Sequence, residues 1–397
     1  MPNPPSDGGA QAIHNTTLGF LKSGIDLKVL SMNPTRNQID IGSLSEDYLK
    51  RTKFEAVVVD TKVKPLQILF NFFKKESYFI ERFKSNAFEL KLKSLLSDNE
   101  YDVIQLEHLY LFLYVDLIRS HSKAKIVYRP QNVEYVIWER FLEKVQNPLK
   151  RYFLKIATKR LKKFEMENSS KADGIITLTP DDLKIIGSFT PNKPSLDIPM
   201  GFVFDDLNEF DASEQFENFP IFYHLGSMDW MPNEEAIDWF VNEISDLAIQ
   251  KMPDIKIHLA GRNMQDRFFK KQHSNLIVEG EITDAINYQK DKAIMIVPLL
   301  SGSGIRAKIV EGIALGKTII TTTIGAQGIN YIEGENLLIA DTPQEFVEQM
   351  YRCYSSKELC MKIGVNAQEL AKEEYHYVSN AKRIVSFYNT LLTADEK

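Results

Sequence analysis

Between Ser301 and Gly316 the chain reads Ser-Gly302-Ser303-Gly304-Ile-Arg306-Ala-Lys308-Ile-Val-Glu311-Gly-Ile-Ala-Leu-Gly, just after the apolar run Ala293–Pro298. The order is strand, Gly-x-Gly turn, helix. Gly302 and Gly304 permit positive φ and close backbone approach. The helix start behind them offers free N–H groups and a partial positive charge, which together suit a phosphate. Arg306 and Lys308 place two cations in the first turn, at a dipole cost on the order of a few tenths of a kcal/mol. An anion held there offsets that cost. Glu311, about one turn beyond Lys308, can accept hydrogen bonds from ribose hydroxyls. The same residues also fit an ordinary strand-to-helix turn with an (i, i+3) surface ion pair, and the Walker and dinucleotide spacings are missing.

A second candidate is His108. Asp102-Val-Ile-Gln-Leu-Glu107-His108-Leu ends a strand and begins a helix, where a catalytic group of the first half would face a cleft. A capping or satisfied histidine fits that place as well. No carboxylate pair has the context of a glycosidase, and no Asp-x-Asp context suggests a metal. Cys353 and Cys360 lie seven apart in a helical stretch, on one face and too far apart along the axis for easy bridging. They read as small buried apolar residues, and no His/Cys spacing matches a zinc site.

Short β-rich runs alternate with helical patterns. The expected strands are Leu27–Leu30, Ala56–Val59, Val103–Leu106, Lys125–Tyr128 and Gly174–Leu178, then Ile221–Leu225, Ile255–Ala260, Leu276–Val278, Ala293–Pro298, Thr318–Thr322 and Leu337–Ala340. Expected helices are Ala10–Ser23, Phe79–Leu96, Lys150–Ser170, Glu234–Ile249, Arg306–Leu315, Pro343–Tyr354 and Ser379–Leu392. Alternation in both halves means parallel sheets covered on both faces, hence two doubly wound α/β domains with a joint near Pro199–Pro220. Their strand C-terminal ends should flank a cleft that takes the ligand.

The 397 residues suffice for two such domains, and the composition, 44% hydrophobic and 26% charged, is that of a globular protein. The net charge of −6 is uneven: residues 1–200 carry 30 Lys+Arg against 24 Asp+Glu, and residues 201–397 carry 18 against 30. That step suggests two domains with different surroundings and argues against a uniformly basic nucleic-acid binder. Met1–Gln11 lacks the apolar core of a signal peptide, and Leu66–Phe73 and Leu109–Val115 are far shorter than a membrane span. The expected location is cytoplasmic, with membrane contact only at the surface. Lys150, Arg151, Lys155, Lys159, Arg160, Lys162 and Lys163 form the outer face of an amphipathic helix. Across 149–164 that face reads either as solvated surface or as a contact for anionic headgroups or a polyanionic acceptor. Pro65–Phe83, with Phe70, Phe72 and Phe73 beside Lys74 and Lys75, reads as an acceptor or membrane segment or as core.

The run Gly302 to Glu311, with Gly325-Ala-Gln-Gly328-Ile downstream and Leu225-Gly226-Ser227-Met-Asp-Trp-Met-Pro232-Asn233 upstream, resembles the donor-binding half of glycosyltransferase family 4, of the group 1 type. Asp7-Gly8-Gly9-Ala10 looks like the first glycine loop of those enzymes. Arg129-Pro-Gln131-Asn132-Val-Glu134 and Asp173-Gly-Ile-Ile-Thr-Leu-Thr-Pro-Asp-Asp182 look like further family segments. The resemblance covers nearly the whole chain. It implies the GT-B fold, two Rossmann-like domains facing a cleft. It also implies retaining transfer from a nucleotide diphosphate sugar to a saccharide or lipid-linked acceptor in cell-surface glycan synthesis, with no cofactor, no required metal and no nucleic acid. Residues 1–200 would bind acceptor, 218–375 the nucleotide sugar, and 376–397 would cross back to the first domain. Arg306 and Lys308 would meet the leaving diphosphate and His108 would contact the donor sugar. Gly226, Ser227, Asn233, Gly302, Ser303, Gly304 and Glu311 would hold the donor, and Gly8 and Gly9 a sugar or acceptor.

The chain departs from that pattern in places. Ser303 stands where the family's first glutamate would be, Gln131 where relatives carry a histidine, and the turn after Leu225 lacks the usual cations. Only six residues, three of them proline, precede Asp7, too poor a segment for the family's first strand. The expectation is a late start that leaves a mid-sheet gap. An epimerase of the same architecture and a catalytically silent nucleotide-sugar-binding protein are the alternatives.

Overall fold

The computed structural model describes residues 1–5, 8–35, 38–62, 77–143, 145–204, 214–301 and 305–394. Two compact units emerge: Met1–Gly201 with Tyr377–Lys397, and Phe202–His376.

In the first unit the strands are β1 (Leu30–Pro34), β2 (Glu55–Val59), β3 (Val103–Leu106), β4 (Lys125–Tyr128), β5 (Gly174–Thr177) and β6 (Ser195–Asp197). They form two parallel sheets among the described residues, β1-β2 and β3-β4-β5-β6. Met1–Pro5 forms no strand. β4 and β5 are buried almost throughout, which is why they read as unbroken apolar runs. The helix Tyr377–Thr393 belongs to this unit and packs on the helix Gly8–Lys22. Their contact is close enough that a Cβ at Gly19 would stand 2.8 Å from that of Ala381.

The second unit holds one parallel sheet in the order β12-β11-β10-β7-β8-β9. Its strands are β7 (Ile221–Leu225), β8 (Lys256–Ala260), β9 (Leu276–Gly280), β10 (Ile294–Val297), β11 (Thr318–Thr321) and β12 (Leu338–Ile339). The chain starts in the middle, winds outward through β8 and β9, then returns to β10 on the other side of β7. Between β7 and β10 the winding reverses, and in open α/β sheets a crevice opens at such a point. The ladder between them stops at Tyr223↔Met295.

Several elements differ from expectation. β1 begins at Leu30, where Leu27–Leu30 was expected to be a strand, and β6 carries no apolar run that would announce it. The expected helix Phe79–Leu96 is two, Tyr78–Glu81 and Asn86–Asp98, because Ser85 caps the second by accepting from the Phe88 amide. Glu234–Ile249 divides into Met231–Trp239, a π-helical turn Phe240–Ile244, and Ser245–Lys251. The cysteines do not share a helix. Ser356 ends Pro343–Ser355 and caps Lys357–Leu370, accepting from the Leu359 amide. That break brings Cys360 Sγ to 3.6 Å from the Cys353 carbonyl, correcting the separation expected along one axis. Both thiols are buried and unbridged.

Candidate functional site

β7 ends at Leu225 and the chain turns at Gly226-Ser227; β10 ends at Val297, and the helix Ala307–Ala314 follows. The two turns border a cavity of about 400 Å³ at the switch point, lined among others by Gly226, Ser227, Asn233, Arg306, Lys308 and Glu311. Six of the residues singled out in the sequence, separated by up to 85 positions, therefore meet in one place. Gly302, Ser303 and Gly304 lie outside the described residues.

Lys308 sits in the second position of its helix and turns inward. Its ammonium donates to Asn233 Oδ1 at 2.7 Å, and Asn233 Nδ2 donates to the Ser227 carbonyl at 2.8 Å. One buried amide thus ties the turn after β7 to the helix after β10. Among the described residues no carboxylate lies within ion-pair distance of Lys308. Burial drives its pKa from 10.5 down to about 7, against the pull of Glu311 and with help from the Arg306 charge. Arg306 is the residue before the helix, is nearly fully buried, and has its guanidinium 5.7 Å from the Trp230 ring centre. Burial lowers its pKa as well. Glu311 keeps accessible surface beside the cavity, while the crowding around its carboxyl raises its pKa and Lys308 opposes that rise.

The missing side chain at Gly226 leaves room for the Lys308 ammonium. A Cβ there would overlap Lys308 Nζ and stand 3.0 Å from both Asn233 Nδ2 and His224 Nε2. Gly226 is also crossed closely by Gly261, whose own Cβ would overlap the Gly226 carbonyl.

Sequence reasoning missed His224. It follows the last β7–β10 ladder pair, and its Nδ1 bonds the Ile296 carbonyl at 2.9 Å, so a side chain continues where the backbone ladder stops. The ring is fully buried, its Nε2 has no hydrogen-bond partner among the described residues, and burial and the Lys308 charge hold its pKa well below 6.5. Its only advance signal was a polar residue in the apolar run Ile221–Leu225. Lys317 was missed too. Its buried ammonium donates to the carbonyls of Gln289 and Lys292 and holds the end of the helix Ala285–Gln289, whose Gln289 lines the cavity. Tyr223 fixes that same side chain, donating to Gln289 Oε1 at 2.8 Å.

The remaining candidates lie in the first unit. His108 is the residue before a 3-10 turn, Leu109–Tyr114, and makes no side-chain capping bond there. Its ring stacks on Tyr110 at 5.1 Å, and Tyr110 stacks on Phe83 at 3.9 Å. Glu107 beside it accepts from Arg129 Nη1 at 3.1 Å and from Gln131 Nε2 at 2.8 Å. Gly8 and Gly9 open the helix Gly8–Lys22; Asp7 lies outside the described residues, as do Phe70, Phe72, Phe73, Lys74 and Lys75. Among the described residues no group of three or more His, Cys, Asp or Glu side chains is arranged to hold a metal ion.

Residues 219–356 match the family model described as glycosyl transferases group 1. The group 1 region contains the whole cavity wall, from Leu225 to Glu311. An uncharacterised 44.6 kDa protein in the cps region of Klebsiella pneumoniae is 23% identical over 300 residues, spanning 72% of this chain and 74% of that one. Among solved structures, sucrose-phosphate synthase from Thermosynechococcus elongatus superposes with a TM-score of 0.60 at 14% identity, covering 98% of this chain and 94% of that one. HepE from Anabaena in complex with UDP gives 0.54 at 14% identity, covering 92% and 100%. At that identity the likeness speaks to fold: the α/β class with parallel sheets, of the GT-B kind, is the one expected.

Proposed function

We propose that the protein is a glycosyltransferase that takes its sugar from a nucleotide diphosphate sugar bound in the cavity between β7 and β10. One observation carries this reading. Arg306, nearly fully buried, and Lys308, half-buried with its ammonium turned inward, stand at a helix start beside a cavity at the switch point, and no carboxylate neutralises Lys308 among the described residues. Holding the Lys308 ammonium away from water without a counter-ion is costly, and a diphosphate removes the cost. The group 1 match over 219–356 and the UDP-bound HepE neighbour support the same ligand class.

In this reading the bond between the anomeric carbon and the terminal phosphate oxygen breaks while an acceptor hydroxyl oxygen bonds that carbon and gives up its proton to the departing phosphate oxygen. The departing diphosphate gains negative charge, and Lys308 and Arg306 stabilise it. Glu311 accepts from the ribose hydroxyls. His108 is the catalytic histidine assigned to the donor sugar. Transfer proceeds with retention and without a cofactor or metal, onto a saccharide or lipid-linked acceptor. The cps-region relative supports a place in surface polysaccharide synthesis.

Calorimetric titration against a panel of nucleoside diphosphates, followed by mass spectrometry of products from each nucleotide sugar, tests the proposal. A glycosylated acceptor is expected. Binding without turnover on any acceptor would show a silent binding protein, and an isomerised nucleotide sugar an epimerase. No binding by any nucleotide would refute the donor site itself.

A further inference from the structure

The helices Glu134–Glu143 and Pro148–Ser169 pack as an antiparallel pair joined by a short connection. Around that connection apolar side chains point outward. Leu149 is 82% exposed and Tyr152 is 61% exposed; one turn apart, they share a face of the second helix. On the first helix Phe141, near its C-terminal end, is 42% exposed. Lys150 joins the two helices, its ammonium 6.0 Å from the Phe141 ring centre. Leu149, Tyr152 and Phe141, left in water near the connection, are not part of the unit's core, to which the second helix contributes Leu154, Ala157 and Leu161.

The basic face adjoins this tip. Arg151, Lys155 and Lys159 are exposed and make no ion pair among the described residues, whereas Lys162 and Lys163 are engaged by Glu139 and Glu167. We infer that this helical pair is a peripheral docking surface for an anionic lipid bilayer. The tip of Leu149, Tyr152 and Phe141 enters the headgroup boundary, and Arg151, Lys155 and Lys159 meet the phosphates. A soluble polyanion would need only the cations. The clustered apolar tip is what selects a surface with an apolar layer beneath its charge. No helix among the described residues is long and apolar enough to cross a membrane, so the contact is interfacial. The inference does not depend on the donor reading.

The test is co-sedimentation of the full chain, without nucleotide, on vesicles of phosphatidylcholine alone or mixed with phosphatidylglycerol. Soluble polyphosphate binding is measured alongside. Binding to the mixed vesicles is expected, abolished by high salt and at least roughly tenfold weaker in Lys155→Glu/Lys159→Glu. Leu149→Ser/Tyr152→Ser should weaken vesicle binding by roughly tenfold while leaving polyphosphate binding unchanged. All four positions are exposed, so the variants should melt like the wild type. Equal binding to neutral vesicles, or no vesicle binding, overturns the inference. Vesicle binding indifferent to Leu149 and Tyr152 would assign the surface to a soluble polyanion instead.

Discussion

Lys308 Nζ and Asn233 Oδ1 meet at 2.7 Å across the crevice between β7 and β10, although 75 positions separate them in sequence. The bond places an ammonium on the cavity wall and holds it there with a neutral partner. A neutral partner positions the cation without quenching its charge, so the ligand can supply the counter-charge.

Replacing either cation should therefore act on the ligand more than on the fold. Lys308→Ala and Arg306→Ala are each expected to cut turnover of the nucleotide sugar by roughly tenfold or more, as for loss of a charge-assisted contact to a leaving group. Steady-state kinetics at saturating acceptor measure this. Unchanged kinetics in both variants would remove the diphosphate from this wall.

Nucleotide affinity should depend on pH with a defined sign. In the empty site Lys308 titrates at about 7, so at higher pH it is increasingly neutral. A bound diphosphate favours the ammonium, and binding then takes up a proton. Affinity should fall as pH rises from 7 to 9, by up to roughly tenfold per unit. Titrations across that range in two buffers of different ionisation enthalpy report both the slope and the proton uptake. Lys308→Met should flatten the slope.

Gly226→Ala tests the geometry alone. The added methyl would displace the Lys308 ammonium from Asn233, and no charge is altered. Nucleotide binding should weaken by roughly tenfold, the scale of one charge-assisted hydrogen bond. The melting temperature should change little, since the site is half-buried at a strand end. Wild-type affinity in this variant would mean that the ammonium has room to move.

Stability should carry its own pH signature in the first unit. Glu165 is buried and accepts from the backbone amides of Glu134 and Tyr135 at 3.1 and 3.0 Å. Burial raises its pKa from 4.5 to about 8. A raised folded-state pKa contributes stability that is present below 4.5 and lost as pH rises through 8. The wild type should therefore melt lower at pH 8 than at pH 5. Glu165→Gln should reduce that difference by on the order of 5 °C, given about 2–4 °C per kcal/mol in a domain of this size. Thermal melts by circular dichroism at the two pH values decide it.

The sequence by itself determined much of the strand frame. β4 and β7 fall where their apolar runs place them, because parallel strands buried on both faces leave little choice of residue type. The helix after β10 was equally legible from its glycines and its periodic Ile309, Val310 and Ile313. Breaks inside periodic stretches were not, because Ser85 and Ser356 act through capping bonds to amides rather than through hydrophobic pattern. β6, three residues long, takes its place from pairing with β5. Only the tertiary structure decided what surrounds Lys308. Its partner Asn233 and its neighbour His224 arrive on another helix and strand. The burial that lowers its pKa belongs to the crevice formed where the sheet reverses its winding, and no local spacing encodes it.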